Sequence, residues 1–184
     1  MIRLLATLLL SLALALPAAA RGVIRDAEIE YALRQVAQPI LQAAGLSNST
    51  RIIIINDDSL NAFVADARTI FLHAGLLMRV ENAAQVQAVI AHEAAHIANG
   101  HLTRRPAAAR NAATIGKLGL LLSAAAVAAG NAEAATGLAI GSGQAAQRNF
   151  LAHTRAEEAS ADQSSLRYLA QAGVDPQAAA DVLE

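Results

Sequence analysis

The chain contains no cysteine and no tryptophan, and only 3% of its 184 residues are aromatic. Without cysteine it can form neither disulfides nor thiolate metal sites, so any metal must be held by His, Asp or Glu. It also lacks an excess of charge: 14 Lys and Arg stand against 15 Asp and Glu, a formal net charge of -1. The balance of the whole chain therefore gives no basic surface pointing to nucleic acid or to acidic lipid. What remains is aliphatic. Hydrophobic residues make up 55% of the chain, and the excess is alanine, which favours helices and close helix packing. The length suffices for one domain with a real core.

The first 20 residues read as a secretory signal. Arg3 supplies the positive charge, residues 4–16 are apolar except for Thr7 and Ser11, and Pro17 leads into Ala18-Ala19-Ala20 before Arg21. This is the charged, apolar, small-residue order of a cleavable signal. The apolar stretch is shorter than the roughly 20 residues that a membrane span needs, although an uncleaved anchor is the competing reading. No cysteine follows, which excludes a lipid-anchored lipoprotein. The chain thus divides into a signal at 1–20 and one domain at 21–184, exported and, in a Gram-negative cell, periplasmic.

Residues 26–44 carry Ile29, Leu33, Val36, Ile40 and Leu41 at helical spacing, with Asp26 as cap and Gly45 as stop. Ser47-Asn48-Ser49-Thr50 is a loop. Four consecutive isoleucines in 51–55 predict a strand buried on both faces. Residues 61–65 and 69–73 predict two more strands around the Asp66-Ala67-Arg68 turn, which gives a small three-stranded sheet, antiparallel at that turn. Asn82 opens a long helix, with Gln85 placed as in a capping box, and Gly100 ends it. Arg104-Arg105-Pro106 reads as a break. Residues 112–146 are rich in Ala, Gly and Leu. Two readings stand for them: a pair of packed helices, or a lid or membrane-facing hairpin over the site. Thr154 predicts a new helix with Glu157 as its capping-box residue, closed by Gly173. Asp175-Pro176 starts another. The chain stops at Glu184 inside that pattern, as a short form or a piece of a longer chain would.

The chemistry lies in His92-Glu93-Ala94-Ala95-His96. Residues four apart share a helix face, so the two imidazoles can hold one metal ion. Glu93 is turned by roughly 100°, poorly placed as a ligand but well placed to reach a water on the metal. The two alanines let the helix pack closely beneath. The pattern is that of a zinc-dependent peptidase, with one Zn2+ per chain and Glu93 as base. A catalytic zinc wants a third protein ligand. Asn99 and Leu102 stand where the extended same-segment pattern would need glycine and histidine, so the third ligand comes from elsewhere. His101 reads as a polar helix-end residue on the wrong face. Glu158 and Asp162 are four apart, on a face continued by Ala161, Ser165 and Leu169, which predicts an inward orientation. With Glu157 used as the cap, Glu158 is assigned to the metal. Asp162 is assigned to the free N–H of a ligating histidine. Arg155 could pair with either acid, or form a surface salt bridge of little consequence. His153 could act as a switch ligand or oxyanion donor, or be an exposed loop residue.

Three segments resemble a known family, the HtpX-like and CAAX prenyl protease-type zinc metalloendopeptidases, and in particular its secreted branch. They are Asn61-Ala62-Phe63 with Ile70 to Leu77, the HEAAH motif, and Thr154-Arg155 with Glu158-Ala159-Ser160-Ala161-Asp162. The resemblance covers the chain from about Asp26 onwards. It implies a predominantly helical α+β fold, a zincin-like catalytic domain with an HExxH helix and a Glu-bearing helix. It implies Glu158 as third ligand with Asp162 close by. It also implies that substrate adds as a strand at a sheet edge, with Thr69, Ile70, Phe71, Leu72 and His73 as the cradle. Asp66-Ala67-Arg68 replaces the family's Gly-rich turn, and Thr154 its usual Ser. Helical repeats that follow the catalytic domain in many secreted members would have to lie beyond Glu184. The expected activity is endoproteolysis of misfolded or misassembled envelope proteins, with polypeptides as partners. Association with the membrane or the outer-membrane assembly machinery is a further expectation. A chaperone-like binding module with a latent zinc site is the alternative, and a maturation protease with one dedicated substrate a third.

Overall fold

The computed structural model describes residues 22–46 and 50–182. The expected signal at 1–20 and most of the Ser47-Asn48-Ser49-Thr50 loop lie outside the described residues. The chain opens with β1 (Val23–Ile24) and α1 (Ala27–Ala43). Asp26 caps α1 as expected, its carboxylate accepting from the amides of Glu28 and Ile29. The helix buries Leu33, Ala37, Ile40 and Leu41. β2 (Arg51–Ile55), β3 (Ala62–Asp66) and β4 (Thr69–His73) follow.

The sheet departs from expectation in its strand number and in the place of β4. It has four strands rather than three, in the order β1-β2-β4-β3. It is mixed: β3 and β4 form the expected antiparallel hairpin, but β2 pairs with β4 in parallel, Ile54 opposite Leu72. The two-residue β1 is too short to leave a periodic pattern. β4 is therefore an inside strand. Its backbone groups are paired on both sides, so Thr69–His73 cannot be an edge that receives a substrate strand. The open edge near the site belongs to β3. The reason is physical: the run at β4 is buried throughout except Phe71, which suits a central strand.

Beyond the sheet come α2 (Ala74–Arg79), α3 (Ala83–Ala98), α4 (His101–Ala128), α5 (Ala132–Gln171) and α6 (Gln177–Asp181). Asn82 caps α3 by accepting from the Gln85 amide, while the Gln85 side chain accepts from Glu81 N. The core gathers Ile40, Ile70, Leu72, Ile90 and Leu169 with the alanines of α3.

Two expected boundaries are absent. α4 runs through Arg104-Arg105-Pro106 without a break, although Pro106, the sixth residue of the helix, lacks the amide that would bond the Leu102 carbonyl. α5 runs through Thr154, whose hydroxyl turns back to the Phe150 carbonyl. Thr154 is thus no cap, and Glu157 no capping-box residue. α4 and the first part of α5 form an antiparallel hairpin, the packed pair of helices. Among the described residues, one helix, His101–Ala128, is long and apolar enough to cross a membrane by length and composition, and 11% of its most apolar stretch is buried.

Candidate metal centre

α3 brings His92, Glu93 and His96 to its face against α5. Ala91, Ala94 and Ala95 are fully buried beneath them, as is Ala161 of α5, so the two helices approach closely. Asn99, the C-cap of α3, donates from Nδ2 to Ser160 Oγ at 3.2 Å and to Ser164 Oγ at 3.1 Å. This pins the end of the HEAAH helix to the helix that bears Glu158.

The expected ligand set comes together. His92 Nε2 and His96 Nε2 are 3.1 Å apart, and each is 3.5 Å from Glu158 Oε2. Ligand atoms roughly 2.0–2.1 Å from a tetrahedral ion stand about 3.3–3.4 Å from one another, so the spacing fits zinc. The proton pattern fits as well. Asp162 Oδ1 lies 3.0 Å from His92 Nδ1, which places a proton on that nitrogen and leaves the Nε2 lone pair for the centre.

His101 is a correction. It does not face away from the site but is 2% exposed, with Nδ1 3.0 Å from His96 Nδ1. The misreading assumed that α3 continued. Gly100 instead takes φ 67°, a left-handed turn that glycine tolerates without cost, and the new helix swings His101 back beneath His96. Burial lowers the pKa of both His96 and His101, which keeps the rings neutral and able to ligate or accept.

Glu93 is 8% exposed. Burial pushes its carboxyl up to about 7, against the opposing charge of His92 and with the support of Glu158. It lines a cleft of about 270 Å³ together with His92, Asp162, Leu60, Asn61 and Ala62. The cleft therefore joins the candidate base to the start of β3, the open sheet edge.

The acids of α5 divide differently from the expectation. Glu158 and Asp162 are not buried: their side chains are 46% and 67% exposed. The buried acid is Glu157. It meets Arg105 Nε at 3.3 Å and faces His153 Nδ1 at 3.7 Å. Arg105 also reaches to 3.9 Å from Glu158 Oε1. The basic partner of the α5 acids is thus Arg105 of α4, not Arg155, which is exposed and has no ion pair among the described residues. His153 is turned to Glu157 rather than to the ligand atoms. Sequence spacing along one helix could not find Arg105, because its contact crosses between helices.

Two imidazoles and a carboxylate converging on one point, with a buried acid beside them at the mouth of a cleft, are the apparatus of a metallopeptidase. Comparison with known proteins agrees. A model of peptidase family M48 matches residues 24–183, and the chain belongs to that family, whose peptidases are zinc metalloproteases. The chain is 30% identical over 148 residues to the beta-barrel assembly-enhancing protease of Escherichia coli (strain K12), covering 79% of this chain and 30% of that protein. It is 29% identical over 131 residues to the protein of the same name from Yersinia pestis, covering 71% and 27%. The chain thus spans less than a third of the length of these relatives.

Proposed function

We propose that the chain is a zinc-dependent endopeptidase that hydrolyses misfolded or misassembled cell-envelope proteins, after export and removal of residues 1–20. In a cell with an outer membrane its place is the periplasm, where the assembly machinery named in its relatives is a candidate partner. The observation that carries the reading is the convergence of His92, His96 and Glu158, whose ligand atoms all lie within 4.8 Å of one another. One zinc per chain held there would act as a Lewis acid on the attacking water and the scissile carbonyl.

The protein's own groups supply the rest. Glu93 takes the proton of the attacking water and passes it to the leaving amine. Its burial suits this, since a carboxyl near neutrality both accepts and releases a proton at working pH. Asp162 holds His92, and His101 holds His96, so that both Nε2 atoms face inward. The open edge of β3 offers main-chain groups to an extended polypeptide beside the cleft. Such a contact reads backbone more than side chains, which favours unfolded segments over a single sequence. His153 and Arg155 have no step in this reaction.

The test is cleavage of an unfolded protein by wild type and by Glu93→Gln, with and without a chelator. Loss of a general base should slow hydrolysis by about 10²–10⁴-fold, with zinc content retained. Equal cleavage by both forms would sink the enzyme reading. Binding of the unfolded chain without cleavage by wild type would favour a chaperone-like module with a latent site.

A further inference from the structure

The hairpin of α4 and α5 carries more exposed aliphatic surface than its own packing explains. Its seam is made of small residues: a Cβ on Gly119 would meet the Ser142 side chain at 1.9 Å, and Ser123 Oγ donates to the Ala135 carbonyl at 2.7 Å. With small residues inside, the large ones face out. Leu118, Leu120, Leu121, Leu122, Leu138 and Ile140 are between 37% and 67% exposed. Successive helical residues point about 100° apart, so Leu120, Leu121 and Leu122 spread over the flanks and back of α4. A rigid protein partner covers one face. A fluid one can wrap several.

From this we infer that the hairpin lies in the surface of an anionic phospholipid bilayer. Charge supports this partner over others. The whole chain is slightly acidic, but residues 106–156, beyond the Arg105 that pairs with Glu157, hold four basic residues, Arg110, Lys117, Arg148 and Arg155, against one acid, Glu133. Lys117 and Arg148 bound the aliphatic band on one side, and the turn at Asn131 with Glu133 bounds it on the other. His101–Ala128 as a whole is long and apolar enough to cross a membrane, but its uncharged band from 118 to 130 is roughly 20 Å long at 1.5 Å per residue, short of the ~30 Å hydrocarbon core, so spanning would draw Lys117 into the hydrocarbon. The hairpin therefore lies in the interface, where both polar ends reach headgroups. The usual embedding depth of roughly 5–10 Å is comparable with a helix diameter, so lipid reaches the flanks as well as the outer face. Lys and Arg beside the band meet anionic headgroups. One consequence rests on the peptidase reading: Glu158 lies on the same helix as Arg148, about 15 Å further along, so docking would hold the cleft just beyond the lipid surface. Lipid binding itself is independent of hydrolysis, so either idea can fail alone.

The test is flotation of the full exported chain with vesicles of phosphatidylglycerol and phosphatidylcholine in equal parts. Wild type should float. A variant with Leu120→Gln, Leu121→Gln and Leu122→Gln has the same N-terminus and should partition at least ~10-fold less, as expected for an interfacial helix stripped of its apolar face. Lys117→Glu with Arg148→Glu, or vesicles of phosphatidylcholine alone, should weaken binding several-fold and remove its salt dependence. Because the chain has no tryptophan, Leu121→Trp gives a second readout should the triple variant not fold: its emission should shift to the blue on adding vesicles. The inference is overturned if wild type stays in the aqueous fraction, or if the triple variant floats equally. It is also overturned if Leu121→Trp emission does not move, or if the exposed leucines close a dimer that the triple variant abolishes.

Discussion

The two ends of α5 belong to one continuous helix and live in different surroundings. From Glu157 onwards it buries Ala161, Ser164, Ser165 and Leu169 against α3 and α1; before that, Ala135 alone is buried. α4 shows the same contrast between His101, deep under the site, and the exposed leucines further out. Both regions are rich in alanine. The difference is the number of neighbours. Near the site alanine is the contact itself and sets how close α3 and α5 come, which in turn sets the distance between His92 and Glu158. In the hairpin small residues also make the seam, but only one partner helix is there, and the larger side chains are left uncovered. Close packing on several sides is what gives a site fixed geometry; a two-helix extension opens more readily.

The largest effect that would sharpen this contrast is electrostatic. Glu93 sits in the packed region with its pKa raised by burial from 4.5 to about 7. In metal-free protein the folded state therefore holds this proton more tightly than the unfolded state. The contribution is neutral below the unfolded value and turns destabilising as pH rises from about 4.5 through 7, because the folded state must then bury a charge. Glu93→Gln keeps the shape and removes the charge. At pH 8 with chelator it should be more stable than wild type by about 3 kcal/mol, at 1.36 kcal/mol per pH unit, and the gap should close at pH 4. Urea titrations at the two pH values decide this. A gap that does not change with pH would mean that Glu93 is solvated.

Next in size is a test of packing itself. Ala161→Leu places a large side chain where none fits and should cost about 1–3 kcal/mol. Ala125→Leu on the exposed part of α4 should stay within about 0.5 kcal/mol of wild type. Equal costs by thermal denaturation would erase the distinction between the two regions.

How far the sequence carried this picture follows the same division. Local rules worked where one element decides the outcome: the Asp26 and Asn82 caps, the face shared by His92 and His96, the strand pair at 62–66 and 69–73. Glu158 and Asp162 were also legible, because two acids four apart share a face whatever lies opposite. The rules failed where a contact crosses between elements. Strand order was not readable, since a buried strand looks alike at any inside position, and the edge role went to β4 when it belongs to β3. Thr154 and Glu157 mimic a helix start inside a helix that never stopped. Glu157 proved to be the buried acid and Glu158 the half-exposed one, an inversion that Arg105 on the facing helix explains, with His153 one turn earlier on the same helix.

His101 offers the finest test, because its place depends on the single left-handed residue Gly100. The ring touches no substrate in this scheme and acts through His96. If its role is to fix the His96 tautomer, His101→Ala should weaken zinc binding by about 10–100-fold, the usual cost of losing such a partner, while the thermal midpoint with chelator falls only modestly. His101→Asn keeps an acceptor near His96 Nδ1 and should recover part of the affinity. Competition with a chromophoric chelator measures both. Were His101 mere filling in the packed region, the two variants would bind zinc like wild type and differ only in stability, and the precision of the site would then rest on α3 and α5 alone.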